Sequence, residues 1–247
     1  MRIMCNHRIV AALAALLCVP AVPAHAGPPF VTDDPEPTET GHWEIYNFAT
    51  GDHVPGTTAG AAGLDLNYGR ADNLQLTAVI PMQFQSQGQI GLGNIELAAK
   101  YRFLRQSEDS ALPDVAFFPR LFVPTAGRQF GSGRANLLLP IWAERDFGPW
   151  SLFGGGGYVI NPGPGNRDYW LGGIVVSRAV TDDLAVGVEL YHQAPTASDA
   201  RAFTGLNIGV TYKLTDHWSL LASGGPGLEN PESEGEYAFY FALKADY

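Results

Sequence analysis

The side chains able to do chemistry in this sequence are few and scattered. Beyond residue 26 there are four histidines, His42, His53, His192 and His217. A nucleophile–histidine pair would need a proximity that their spacing does not reveal. Neither the G-x-S-x-G nor the H-E-x-x-H pattern occurs. Asp216-His217 lies in a turn-like stretch where Asp has a structural use. Asp33 and Asp34 are adjacent carboxylates on an extended, Pro-broken segment; they point in different directions and make a poor metal site. The glycines at 154–157 lack the following Lys and helix of a phosphate loop. They read as a place where a strand bends or a wall thins, with a ligand resting against them as the other reading. The expectation is no catalytic residue, no metal site and no cofactor.

The elements that would position any site begin after a leader. Residues 1–26 have a basic start at Arg2 and Arg8, an apolar run "IVAALAALLCVPAV", and Ala24-His25-Ala26 before Gly27. That is the pattern of a cleaved secretory signal peptide. Pro20 and Pro23 interrupt the run before it reaches the ~20 apolar residues of a membrane helix. A lipoprotein reading through Cys18 fails on the bulk of Leu17. Both cysteines, Cys5 and Cys18, fall inside this leader, so disulfide and thiolate chemistry leave with it. Removal also takes Arg2 and Arg8, leaving 13 Lys and Arg against 25 Asp and Glu. So acidic an exported chain is a poor partner for nucleic acid or anionic lipid.

The remaining chain, which holds most of the 29 Gly and 18 Pro, shows no sustained apolar stripe of helical period. It alternates with period two instead. In "NIELAAKYRF", Ile95, Leu97, Ala99, Tyr101 and Phe103 share one face while Glu96, Lys100 and Arg102 share the other. "LQLTAVIPMQF", "TGLNIGVTYKL", "LAVGVELYHQ" and the closing "GEYAFYFALKADY" behave alike. Each run has about ten residues, the length of a tilted strand crossing a bilayer. A soluble sandwich would favour strands nearer five or six.

Short, Asp-bearing connections such as "GRADNLQ", "VTDDL" and "LTDHW" alternate with stretches rich in Gly, Pro and Ser. Residues 105–112 and 145–149 are the other short ones. The expected long loops are 50–60, 85–93, 124–133, 161–167, 194–203 and 225–235. The segments between them number about twelve. The fold expected is all-β: a transmembrane antiparallel up-and-down barrel over residues 42–247, its last strand paired with a first strand near 42–49. Closure is required because open edges in hydrocarbon would cost several kcal/mol per unpaired group. Residues 27–41 form either a periplasmic lead-in or a plug in the lumen.

Alternation points ten side chains inward as pore-lining candidates: Asp65, Glu96, Lys100, Arg102, Arg120, Glu144, Glu189, Tyr191, Lys213 and Lys244. With both signs present, such a lumen could conduct or be closed by ion pairs. Arg167 and Asp168, in the loop "NPGPGNRDYW", are external binding candidates.

Several stretches together resemble the putative MetA-pathway of phenol degradation family of outer-membrane proteins. They are "PPFVTDDPEPTETGHWEI", "DLNYGRADNLQL", "GLGNIELAAKYRFL", "FVPTAGRQFGSG", "GGGGYVINPGPGNRDYW" and "VELYHQ". The likeness implies an outer-membrane barrel of transporter type, with aromatic or other hydrophobic compounds as the suggested substrate class. It supplies no catalytic residue. The expected function is passage or binding of a small solute, in contact with outer-membrane lipid and, during insertion, the barrel-assembly machinery. The alternatives are a barrel hydrolase of lipid or peptide, and a structural or adhesion barrel.

Overall fold

The computed structural model describes residues 29–86, 88–107 and 111–247; the expected leader, residues 1–26, lies outside them. The strands are β1 (Trp43–Val54), β2 (Thr57–Ala71), β3 (Leu74–Gln85), β4 (Gln89–Leu92), β5 (Ile95–Leu104), β6 (Asp114–Phe117), β7 (Arg120–Val123) and β8 (Asn136–Phe147). They continue as β9 (Trp150–Ile160), β10 (Tyr169–Ala179), β11 (Leu184–Gln193), β12 (Phe203–Thr215), β13 (Trp218–Glu229) and β14 (Tyr237–Asp246), with one turn of helix, α1 (Pro231–Glu234), before β14. Every pairing between neighbouring strands is antiparallel, and β14 returns to β1 along Glu44↔Asp246 to His53↔Tyr237. The seam is finished by the Trp43 and Tyr247 peptides, which exchange N–H···O bonds of 2.6 and 3.0 Å. The circuit of strands closes, as hydrocarbon demands, while the short β4 pairs with β3 alone among the described residues.

Two staves are built from paired pieces. β4 and β5 run end to end along β3, parted at Gly93 and Asn94. β6 and β7 run end to end between β5 and β8, parted at Phe118 and Pro119. Proline has no N–H to give the ladder, and the second break is bridged by longer bonds, Phe118 N–H to Pro140 O at 3.2 Å and Ala99 N–H to Pro119 O at 3.3 Å. Fourteen strands therefore make a closed barrel of twelve staves.

The faces are inverted relative to a water-soluble protein. Ile208 and Tyr101 are 59% and 52% exposed, and Leu97, Ile174 and Phe241 are similarly open on the outside. Glu189, at 0%, is sealed inside. Leaving so many large apolar side chains in water would cost about 25 cal/mol per Å², and soluble monomers rarely show such a continuous surface. Hydrocarbon is the solvent that fits it.

Several expected loops prove to be strand. The loop placed at 50–60 is a two-residue reversal, Pro55-Gly56, with Gly56 at φ 87°, flanked by the ends of β1 and β2. Of the stretch placed at 85–93, residues 89–92 are β4, which pairs back onto β3. Most of the stretch placed at 225–235 is the end of β13 and helix α1. Gly, Ala and Thr at 57–63 carry little hydropathy contrast, so alternation could not announce these strand ends. The glycines at 154–157 lie inside β9, where Cβ atoms would press on neighbouring backbone: one on Gly154 would come 2.7 Å from Gly173 O and one on Gly157 2.5 Å from Pro140 Cα.

Candidate functional site: a chamber beside an internal segment

Register fixes the inner face row by row. Lys244, Tyr46, Asp65, Val79 and Glu96 stand side by side across β14, β1, β2, β3 and β5. The next row brings Asp246, Glu44, Asn67, Thr77 and Ala98. Polar side chains packed this densely hold one another: Gln75 Nε2 donates to Asn67 Oδ1 (2.7 Å) and Thr77 Oγ1 (2.9 Å), and Asn67 Nδ2 donates to Asp65 Oδ1 (2.9 Å).

Residues 29–41 lie within this wall before the chain enters β1. Ser223 Oγ donates to Pro29 O at 2.6 Å. The Phe30 ring sits where β11 and β12 carry Gly187 and Gly209, and any Cβ on either would collide with it. Phe153 lies 6.2 Å from it, ring to ring. The N–H groups of Val31 and Thr32 donate to the Glu189 carboxylate at 3.3 and 2.6 Å, and Asn207 Nδ2 adds a third donor at 2.8 Å. Further along, Lys100 Nζ reaches Asp33 (2.9 Å), Asp34 (3.2 Å) and Glu36 O (3.2 Å). Thr38 N–H donates to Gln75 Oε1 at 2.8 Å, joining the segment to the Asn67–Asp65 chain. Hydrogen bonds to charged groups contribute about 1.5–3 kcal/mol each, and either partner alone would be a buried charge left uncompensated. Wall and segment hold each other. Burial pushes the Asp34 carboxyl up, to about 7, against the pull of Lys100, with Asp33 and Glu36 adding to the rise.

Between the segment and the strands β1–β3, β5, β7 and β10–β14 remains a chamber of about 540 Å³. Six of the ten inward candidates border it: Asp65, Glu96, Lys100, Arg120, Lys213 and Lys244. Arg120 forms a two-pronged pair with Glu96 at 2.6 and 2.9 Å. Lys244 reaches Asp246 (2.9 Å) and Glu44 (3.3 Å). Lys213 stands at the mouth, nearly half exposed, 2.8 Å from Asp216 in the β12–β13 turn, whose carboxyl it holds below the ordinary value.

The other four candidates stand apart from the chamber. Glu189 grips the segment as above. Glu144 is buried and accepts a short hydrogen bond from the Ser151 hydroxyl. Arg102 lies between Glu36 (3.8 Å) and Asp114 (3.9 Å). Tyr191 packs against Phe203, centroids 5.7 Å apart. In the external loop, Asp168 Oδ1 accepts from Asn161 N–H at 2.8 Å and the Arg167 N–H donates to Thr196 O at 2.9 Å, which ties the loop to its neighbour. His53 and His192 each sit 2.8 Å from a threonine hydroxyl, of Thr58 and Thr204.

Sequence reasoning missed the partners inside: Phe30 with Gly187 and Gly209, the Thr38–Gln75–Asn67 chain, and an inward apolar patch of Tyr46, Leu221 and Ala242 with Phe48 and Tyr240. Small residues recurring on the inner face of β11 and β12 were the available signal for the first.

A family model described as "Putative MetA-pathway of phenol degradation" matches residues 45–244. No curated protein matches the chain. Among solved structures, an outer membrane channel from Pseudomonas putida F1 is similar over 87% of this chain and 98% of its own, with a TM-score of 0.72 and 16% identity. That likeness extends to the fold. Outer membrane phospholipase A from Escherichia coli is a looser match, with a TM-score of 0.44, 14% identity and coverage of 88% and 98%, and carries no functional weight.

Proposed function

The chain belongs to the putative MetA-pathway of phenol degradation family, and from that premise we propose that it is an outer-membrane channel passing or binding a small solute beside its internal segment. The observation that carries the reading is the chamber of about 540 Å³ inside a closed wall whose outer face is apolar. A purely structural barrel would have no need of a wall that stands back from its own filling. The internal segment narrows the path, and the chamber beside it is the route.

Aromatic or other hydrophobic compounds are the substrate class in keeping with the family. Export through a cleaved leader, insertion by the barrel-assembly machinery and contact with outer-membrane lipid complete the reading. It assigns no catalytic step, and the hydroxyls beside His53 and His192 serve the wall.

Recording from the purified protein in planar bilayers tests this. Discrete current steps, or solute flux into protein-loaded liposomes, are the expected result. Silent bilayers at every voltage together with liposomes that admit nothing would remove the channel reading.

A further inference from the structure

We propose that the chamber selects positively charged solutes, with Asp65 as the residue that sets the preference and a protonated amine on an apolar or aromatic body as the chemical class admitted. This rests on the channel reading and narrows it.

Charge is the first observation. Eleven Asp and Glu side chains border the chamber against four Lys and Arg. Each of the four is already bonded to a carboxylate: Lys100 to Asp33 and Asp34, Arg120 to Glu96, Lys213 to Asp216, Lys244 to Asp246. Asp65 takes its hydrogen bond from the neutral amide of Asn67 and forms no ion pair among the described residues; Arg120, which attracts it from farther off, is bonded to Glu96. It stands in mid-wall rather than at a mouth, where solvent would screen it. A cleft lined by one sign of charge raises the local concentration of the opposite ion by ~10-fold or more.

Shape and polarity are the second. Beside Asp65 in register is Tyr46, and in the next inward row Phe48 lies opposite Gly63. Phe48 is stacked on Tyr240, with centroids 6.5 Å apart and planes 3° from parallel. Tyr46 and Leu221 border the chamber, and Ala242, Phe48 and Tyr240 pack with them as one apolar patch. The wall's own Lys244 ammonium already lies 5.8 Å from the Tyr46 ring centroid, so this ring accepts a cation. A carboxylate without an ion-pair partner, next to the Tyr46 ring, offers an ammonium head and an apolar body each its own contact. An anion of the same shape would meet the surplus of carboxylates.

Single-channel recording of the full mature protein separates the possibilities. In a KCl gradient near 0.1 M the reversal potential should report potassium favoured over chloride several-fold. The preference should shrink toward unity at 1 M, where the screening length falls from about 10 Å to about 3 Å. Phenethylammonium should block the potassium current at concentrations ~10-fold lower than phenylacetate or 2-phenylethanol, which share its ring and chain. Asp65→Asn, equal in size, should lessen both effects while the channel still conducts. The comparison of the three blockers on the unaltered protein decides the matter even if that variant fails to fold. A potassium preference at or below unity, or equal block by the three compounds, overturns the inference and leaves the channel standing. A protein that carries no current overturns the channel reading and this inference with it.

Discussion

The two sides of the lumen treat the internal segment in opposite ways. Along β10–β12 the wall comes so close that Gly187 and Gly209 have no room for a side chain, and Phe30 fills the space. Along β1–β3, β13 and β14 the wall touches the segment at Gln75 and Ser223, and around Asp65, Asn67, Tyr46 and Lys244 it leaves the chamber. One side is a socket and the other borders a chamber. Small residues pointing inward do not by themselves make a wide pore; here they make the place where a pore is filled.

The severest way to break this contrast is to delete residues 29–38. Both sides would then face open water, and unitary conductance should rise several-fold, the largest change of any variant. Conductance unchanged by the deletion would mean that the segment does not limit the path. Next in size is Glu189→Ala, which strips acceptors from the N–H groups of Val31 and Thr32 and from Asn207. With charged hydrogen bonds contributing about 1.5–3 kcal/mol each, the segment should be released for a measurable fraction of time, seen as long openings to the level of the deletion. Gly209→Val attacks the same socket by overlap with the Phe30 ring. It should produce flickering openings of the same amplitude, weaker than those of Glu189→Ala because the polar grip remains.

Acidity sharpens the comparison more gently. Burial raises Asp34 above its value in a released, solvated segment, while Lys100, Asp33 and Glu36 stand around it. The docked form therefore holds a proton that the released form has lost between about pH 4 and pH 7. Raising pH through that window favours release, with a limit of ~10-fold per unit, and above about 7 the effect levels off. Openings should become more frequent from pH 5 to pH 7, and Asp34→Asn should flatten the profile. The smallest effect belongs to Asp216→Asn, whose pair with Lys213 is exposed at the mouth; heat-induced unfolding followed on gels should be unmoved.

Much of the wall was legible because its solvent is apolar on one side and polar on the other. "NIELAAKYRF" declared its faces at once, and Leu97, Tyr101 and Phe103 do lie outside while Glu96 and Lys100 lie within. The reversal at Pro55-Gly56 was hidden by the Gly, Ala and Thr that follow it, which read as loop when hydropathy is the only guide. The internal segment was illegible for a different reason. Its anchors are remote: Thr32 meets Glu189 across 157 positions and Pro29 meets Ser223 across 194. Nothing periodic in "PFVTDDPEPTE" reports on what lies beside it in space. Alternation could list the inward charges, but only three dimensions could divide them between grip and chamber.

Those long separations have a bearing on assembly. The socket for Phe30 is furnished by strands that leave the ribosome long after Phe30 itself, so residues 29–38 must wait, undocked, until the later staves are in hand. A half-built cylinder has nowhere to stow its own beginning. The socket is filled only when most of the staves are already in place.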